Sequence, residues 1–443
     1  MKKRTYYLIG IGGISMSGIA LYLHNTGNKV LGSDIQQNYQ TKQLHRKGIK
    51  IYFKQDAKNI NSDIDTVIYT SAVENTDSQG NVELTEAKKL KIQTYKRSQF
   101  LGVLFNNTKL IAIAGTHGKT TITGMLAKVL IDNNIDPTVF IGTTVKEFNN
   151  SNIRIGKSDI VLLEACEYDR SFLDFIPEVT VITNIEEEHL DYFKGGISEI
   201  RQTFSDFIQK IKPNGTLIAY QDKNIDKVLE NLKRKDIKII RYAQKTNSDI
   251  IQNINLNVPG DHNLDNALAT YFVAKQFNIK DDQIFFALSK FNGTGRRAEL
   301  IFENYQIKLF DDYAHHPTEI KATLAGFRKK YPSKNIICVF QPHQHSRTKL
   351  LFSELVKSFK DCDQLIVLPI YSVAGREEKK DINSKQIVQE TQKNRPNVIY
   401  KPNFQVAQDY LLGILKKDDI VITMGAGDIY KMSLNLKKEL VNK

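Results

Sequence analysis

The sequence predicts an α/β protein organised as three domains, and three observations predict it. Short apolar runs alternate with helix-like periodicity along the chain, nearly every run leads into a glycine-rich or polar turn, and the alternation falls into three blocks. This is the pattern of strand and helix units on mainly parallel sheets, in which each crossover helix returns the chain to begin a neighbouring strand. A length of 443 residues accommodates roughly two to four such domains.

The first block, expected over residues 1–106, holds "TYYLIGIGG", "NKVLGSD" and "DTVIYTSA" as strands, with helices between them. The second, expected over 107–294, opens with "KLIAIAG" and runs through "SDIVLLEACEYD", "VTVITNIEEEH" and "GTLIAYQD" to a helical stretch "HNLDNALATYFVAKQF". The third, expected over 295–443, holds "QIKLFDDYAHHPTE", "NIICVFQPHQHSRT", "QLIVLPIY" and "DIVITMGAGDIY". Ligands of open α/β sheets bind beyond the carboxyl ends of the strands, so the residues just after each strand are the ones to examine.

Composition narrows the class. With 41% hydrophobic and 25% charged residues the chain is an ordinary globular protein. Cys166, Cys338 and Cys362 are too few and too scattered for a disulfide framework or a zinc site, which favours buried thiols in a reducing compartment. The opening "MKKRTYYLIGIGGISMSGIALYL" has a basic start and an apolar run, as a signal peptide would. Glycines and serines interrupt that run and a further strand follows directly, so neither export nor membrane insertion is expected, and the location is cytoplasmic. The net charge of +13 is spread along the chain, with no arginine-rich arm. No nucleic-acid partner is expected, and the charge suits solvated helix faces and anionic small ligands.

The segment "LIAIAGTHGKTT" reads as strand, glycine turn and helix start. It resembles a phosphate-binding loop of shortened spacing, since Gly115 stands only three positions before Gly118 and Ile113 occupies the usual first-glycine position. Backbone N–H groups of Gly115, Thr116, His117 and Gly118 would turn toward an anion, and the helix beginning near Thr121 would add its positive end. Lys119 can neutralise the β and γ phosphates of a nucleotide, and the Thr120 hydroxyl can coordinate Mg²⁺. Glu164 and His189 close two later strands and are candidates for the same metal. Histidine is an unusual ligand for so hard a cation. Taken alone, His189 reads as a surface residue and Glu186, Glu187 and Glu188 as a solvated acidic cluster.

These motifs, with "EACEYDRSFL", "TNIEEEH", "GDHNLDNALA", "GTGRRAE", "DDYAHHPTEI", "FQPH" and "MGAGDI" in this order, resemble the Mur ligase family over all three blocks. The likeness is strongest to the members that add the first amino acid of the peptidoglycan stem peptide. It implies an N-terminal Rossmann-like domain holding the UDP-sugar, a central P-loop ATPase-like parallel sheet holding ATP, and a C-terminal Rossmann-like domain serving ATP and the amino acid. The implied reaction is ATP-dependent joining of L-alanine to the carboxylate of UDP-N-acetylmuramate through an acyl phosphate, with Mg²⁺.

In that reading Gly10, Ile11, Gly12, Gly13, Ile14 and Ser15 present backbone donors to the pyrophosphate of the UDP-sugar, with Asp34 and Ser71 beside them. Glycines with an acid about 20 residues on also suit NAD, although Ser15 replaces the last glycine of that fingerprint. For adenine the resemblance implies His262, Asn263 and Asn266, while helix capping is an equal reading of Asn263. It brings Arg296 or Arg297 to the phosphates, Asp312 to the ribose, and His315 and His316 toward the reacting groups, with a helix-start role open for "HHPTE". His343 and Arg347 would hold the amino acid. The family pattern continues "FQPH" with an arginine and an aromatic, whereas this chain has Gln344 and His345, which leaves the amino-acid preference open. The alternatives are a recycling ligase that adds a stem tripeptide to the same nucleotide sugar, a non-catalytic nucleotide-binding regulator, and an NAD-dependent oxidoreductase.

Overall fold

The computed structural model describes residues 3–73, 80–190, 192–304, 307–372 and 379–441. It divides into two compact units, residues 1–255 with 265–288, and residues 256–264 with 289–443. Each of the three blocks supplies one sheet, and the first two sheets share the first unit.

The first sheet comprises β1 (Thr5–Ile9), β2 (Lys29–Ser33), β3 (Lys50–Tyr52), β4 (Thr66–Tyr69) and β5 (Gln93–Lys96), in the order β3-β2-β1-β4-β5 and all parallel. Strand order reverses at β1 and β4, so a cleft opens at their carboxyl ends. Side chains alternate between the two faces. Tyr6 and Leu8 enter one apolar core while Tyr7 and Ile9 enter the other.

The second sheet comprises β6 (Lys109–Ala114), β7 (Thr138–Val145), β8 (Ser151–Arg154), β9 (Ile160–Glu164), β10 (Val179–Ile182), β11 (Thr216–Tyr220) and β12 (Lys238–Tyr242). Its order is β12-β11-β10-β6-β9-β7-β8, parallel apart from the β7–β8 pair. β6 therefore lies between β9 and β10, and whatever follows those three strands meets at one edge. One apolar core runs from Leu8, Ile19 and Phe100 to Leu110, Phe140 and Phe204. Phe105 sits at its middle, its ring 5.2 Å from Tyr22 and 5.3 Å from Phe140.

The second unit carries β13 (Glu299–Glu303), β14 (Ile307–Asp312), β15 (Ile336–Phe340), β16 (Gln364–Val367), β17 (Val398–Tyr400) and β18 (Asp419–Met424). The order is β13-β14-β18-β15-β16-β17, with only β13 antiparallel to its neighbour. Ile336, Cys338 and Phe340 face one core and Ile337 and Val339 the other, the period-2 pattern of a strand buried on both faces. Cys338 and Cys362 are buried free thiols, and Cys166 is free and partly buried. Among the described residues no helix is long and apolar enough to cross a membrane.

Candidate active site

The shortened phosphate loop follows β6, and the helix Lys119–Asp132 begins directly after it. The turn requires two left-handed glycines, Gly115 at φ +126° and Gly118 at φ +86°. A Cβ on Gly115 would overlap the Thr183 hydroxyl, and one on Gly118 would come within 2.6 Å of the Asn266 amide oxygen. Gly118 is the helix N-cap and supplies no side-chain cap. The first N–H groups of the helix, on Lys119, Thr120 and Thr121, precede its first internal bond, from Ile122 N–H to Gly118 O. Such a helix start attracts an anion through both its dipole and its unused donors.

The segment after β10 clamps this loop. Thr116 N–H donates to Asn184 O at 3.1 Å and His117 N–H to the Asn184 side chain at 2.9 Å. The Thr183 hydroxyl donates to His117 O at 2.5 Å, and Glu186 N–H to the Thr116 hydroxyl at 2.9 Å. His117 Nε2 lies 3.6 Å from the Glu186 carboxylate. Glu186 is thus part of the loop's support, where sequence alone reads a solvated cluster. Thr183 and Asn184 were not singled out by sequence, although the carboxyl-end rule points at both.

Lys119 folds back over its own loop. Its ammonium donates to the carbonyls of Gly115 and Thr116 and to Glu167 Oε2, the last at 3.3 Å. Burial alone would push that ammonium's pKa down, but the Glu167 carboxylate, with Cys166 and Glu164 behind it, holds it above the ordinary lysine value. Glu167 is 2% exposed, and its second oxygen is buried without a hydrogen-bond partner. It is a functional candidate that sequence reading missed, three residues beyond the one it chose.

The Thr120 hydroxyl donates to Glu164 Oε2 at 3.0 Å, while Glu164 Oε1 accepts from Gly142 N–H at 2.7 Å. The structure therefore joins two of the three expected metal ligands beside the loop. These are hard oxygen donors, the chemistry Mg²⁺ takes. His189 stands at φ +55° on the segment after β10, with its ring 4.9 Å from that of Tyr168.

The loop after β1 is built differently. Gly10 and Ile11 N–H groups both donate to Ser33 O, at 2.8 and 3.0 Å. Asp34 accepts from Gly12 N–H at 2.8 Å, so it braces the loop, and Asn38 donates to Gly12 O at 3.0 Å. Gly13 caps the helix Ile14–Asn25 without a side-chain bond. Ser71 follows β4, and its neighbour Thr70 packs where a Cβ on Gly10 would sit. The Arg97 guanidinium donates to the Ser15 hydroxyl at 3.0 Å. A cavity of about 510 Å³ on the same helix, lined by Ser17, Leu21, Tyr39, Phe148 and Asn152 among others, holds none of the expected site residues.

In the second unit Asp312 accepts N–H bonds from Ala298 at 2.7 Å and Ala314 at 2.8 Å. Burial pushes its carboxyl up to about 6, against the pull of Arg297 and those two amides. Arg296 is a brace rather than a ligand group. It pairs with buried Asp311 at 3.1 Å, donates to Gly425 O and Gly427 O, and lies over the rings of Tyr313 and Tyr430. Arg297 sits 3.4 Å from Glu319 and over Tyr313. His316 caps the helix Pro317–Lys330, accepting from Thr318 N–H at 3.3 Å, as the helix-start reading of "HHPTE" expects. Asn263 donates to Pro259 O at 2.6 Å, and His262 opens the helix His262–Lys275.

His343 ties the remaining candidates together. Its ring stacks on Tyr371 at 5.4 Å and meets the edge of His315 at 5.8 Å, and its Nδ1 lies 3.3 Å from Arg347 Nη1. Gln344 and His345 are buried scaffold. Gln344, at φ +66°, donates its N–H to Tyr371 O at 2.9 Å, and His345 Nδ1 lies 2.9 Å from Ile382 O.

Comparisons with known proteins agree along the whole length. The chain matches the family described as Mur ligase family, catalytic domain, over residues 5–109, the Mur ligase middle domain over 113–274, and the Mur ligase, glutamate ligase domain, over 296–427. A UDP-N-acetylmuramate–L-alanine ligase of Caldicellulosiruptor bescii is 42% identical, covering 98% of this chain and 99% of its own. One from Clostridium tetani is 41% identical, covering 97% and 96%. The fold is similar to that of UDP-N-acetylmuramate-alanine ligase from Thermotoga maritima, with a TM-score of 0.80 at 24% identity over 99% of both chains.

Proposed function

The chain belongs to the Mur ligase family, and from that premise we propose that it is an ATP-dependent ligase joining L-alanine to the carboxylate of UDP-N-acetylmuramate in peptidoglycan precursor synthesis. The observation that carries this reading is a complete phosphate loop, with Thr120 bonded to Glu164 and Lys119 to Glu167, in a chain whose full-length relatives bear that name. The same relatives disfavour the tripeptide-adding alternative. The three sheets correspond, in this reading, to functional domains over residues 1–106, 107–294 and 295–443, acting in the cytoplasm.

A carboxylate is a poor electrophile, and its condensation with an amine in water is unfavourable. Transfer of the γ-phosphoryl group of ATP to the carboxylate oxygen yields an acyl phosphate and ADP. The uncharged amine of the amino acid then attacks the carbonyl carbon, the resulting tetrahedral species expels phosphate, and the amine proton is lost to give the amide. The protein's part is positioning and charge neutralisation. Lys119 leaves its loop carbonyls and Glu167 to meet the β and γ phosphates, while the amides of the loop and helix start hold the remaining oxygens. Thr120 and Glu164 would hold Mg²⁺, with His189 as a further candidate, and the ion would supply charge neutralisation on the phosphates. Asn266, against Gly118, stands where the nucleotide enters, and Asn263, Arg297 and Asp312 are assigned to the same nucleotide. Arg347 with His343 would pair with the α-carboxylate of the amino acid.

The test is ADP release by purified protein given ATP, Mg²⁺ and UDP-N-acetylmuramate, with L-alanine, L-serine, glycine or a stem tripeptide supplied separately. Release dependent on L-alanine is expected. Release with tripeptide alone would move the assignment to the recycling reaction, and none with any acceptor would leave a binding protein.

A further inference from the structure

We propose that Arg97 is the cation that pairs with the diphosphate of the nucleotide sugar at the loop after β1. This rests on the nucleotide-sugar reading of that loop and adds a residue to it.

The loop itself carries no positive side chain between Gly10 and Ser17. Its donors are backbone amides. Gly10, Ile11 and Gly12 have spent theirs on Ser33 and Asp34, and Gly13 donates to Gly10 O. The first internal bond of the following helix runs from Ser17 N–H to Gly13 O, which leaves the amides of Ile14, Ser15 and Met16 directed out of the helix start. A diphosphate carries more charge than three amides match, so a cation is called for.

Arg97 supplies one from 82 positions away in sequence. It is the first residue of the helix Arg97–Phe105 and follows edge strand β5 directly, so the parallel sheet delivers it to the same carboxyl edge as the glycine loop. Its Nη1 sits 3.0 Å from the Ser15 hydroxyl, one residue into the helix start. A guanidinium has five N–H donors. Among the described residues this one makes a single side-chain hydrogen bond, to a neutral hydroxyl, and no ion pair. Asp169, which is close enough to act on its charge, is engaged with Lys96 at 3.6 Å. Burial disfavours its charge, partly offset by Cys166, Asp169 and Asp174. A partly buried arginine held by one neutral bond is costly for folding alone, and an anionic ligand oxygen would use the donors left over.

Calorimetric titration of the full chain with uridine, UDP and UDP-N-acetylmuramate separates the possibilities. For Arg97→Ala the affinity for UDP and UDP-N-acetylmuramate should fall about 10- to 100-fold, as for loss of a charge-assisted bond, with uridine affinity and thermal unfolding unchanged. Arg97→Lys should recover part of the loss, because it keeps the charge without the fork. Equal weakening of uridine and UDP would show a structural role and overturn the proposal. UDP affinity unchanged with UDP-N-acetylmuramate weakened would place Arg97 on the sugar's carboxylate and overturn it as well. If the wild-type protein binds none of the three, the nucleotide-sugar reading itself falls and takes this assignment with it. That result is distinct from any outcome confined to the variant.

Discussion

The loops after β1 and β6 share one local design, a buried parallel strand, a glycine turn and a helix with no side-chain cap, yet they are equipped in different ways. The loop after β6 contains its own cation, Lys119, and its own hydroxyl, Thr120, and the segment after β10 holds it through Thr183, Asn184 and Glu186. The loop after β1 contains no cation, is braced from behind by Ser33 and Asp34, and has its helix-start hydroxyl, Ser15, met by an arginine brought from after β5. In the proposed reading, the difference teaches that a glycine turn before a helix offers an anion site, whereas the neighbouring strand ends specify which anion. A phosphoryl group that is to be transferred needs charge that follows the reacting atoms. A diphosphate that is only held needs fixed donors.

The largest expected effect is from Lys119→Ala, which should cut ATP-dependent ADP release by about 1,000-fold or more, as removal of a transition-state charge does, while UDP binding stays within about 2-fold, below the size of one hydrogen bond. Retained turnover would break the contrast between the two loops. Gly115→Ala comes next. The new Cβ would overlap Thr183 at a left-handed backbone position, so ATP affinity should be lost and stability should fall by about 1–3 kcal/mol. Calorimetric ATP titration and denaturant unfolding would show this, and an undisturbed loop would mean that the clamp from β10 is soft.

Glu167→Gln keeps the shape and removes the charge that faces Lys119. A drop in kcat of about 10- to 100-fold is expected for loss of a charged partner, read by steady-state kinetics with saturating ATP. An unchanged kcat would reduce Glu167 to packing. The smallest effect is expected for Asp34→Ala, which frees Gly12 N–H and should weaken UDP binding by about 3- to 10-fold, the scale of one hydrogen bond, without altering ATP affinity. A loss larger than that of Arg97→Ala would mean that Asp34 reads the nucleoside directly.

Sequence located the strands that lie inside the sheets, apart from β7. β1, β6, β10, β15 and β18 are nearly continuous apolar runs because they are buried on both faces. It did not mark the edge strands β3, β5, β8, β12, β13 and β17, which are short and in several cases of mixed polarity, as in "QTYK" and "SNIR", nor β7, which lies beside edge strand β8. Edge strands gain their structure from a partner rather than from their own pattern.

The site divides along the same line. Sequence by itself determined the parts that are local: the shortened phosphate loop, the glycines at positive φ, Lys119 and Thr120 at a helix start, and the resemblance to one ligase family. The first three depend on residues within one turn of chain, where spacing and residue type are enough, and the resemblance on short motifs in order along the chain. Tertiary structure alone decided that β9 and β10 flank β6, which brings Glu164 onto Thr120 and Thr183 onto Gly115. It also decided that Glu167 rather than solvent faces Lys119, that His316 caps a helix, that Gln344 and His345 are scaffold while His343, Tyr371 and Arg347 form the group, and that Arg97 reaches Ser15. The reason is strand order. A parallel sheet gathers the carboxyl ends of strands distant in sequence, and which ends become neighbours is set by crossovers whose packing no single segment encodes.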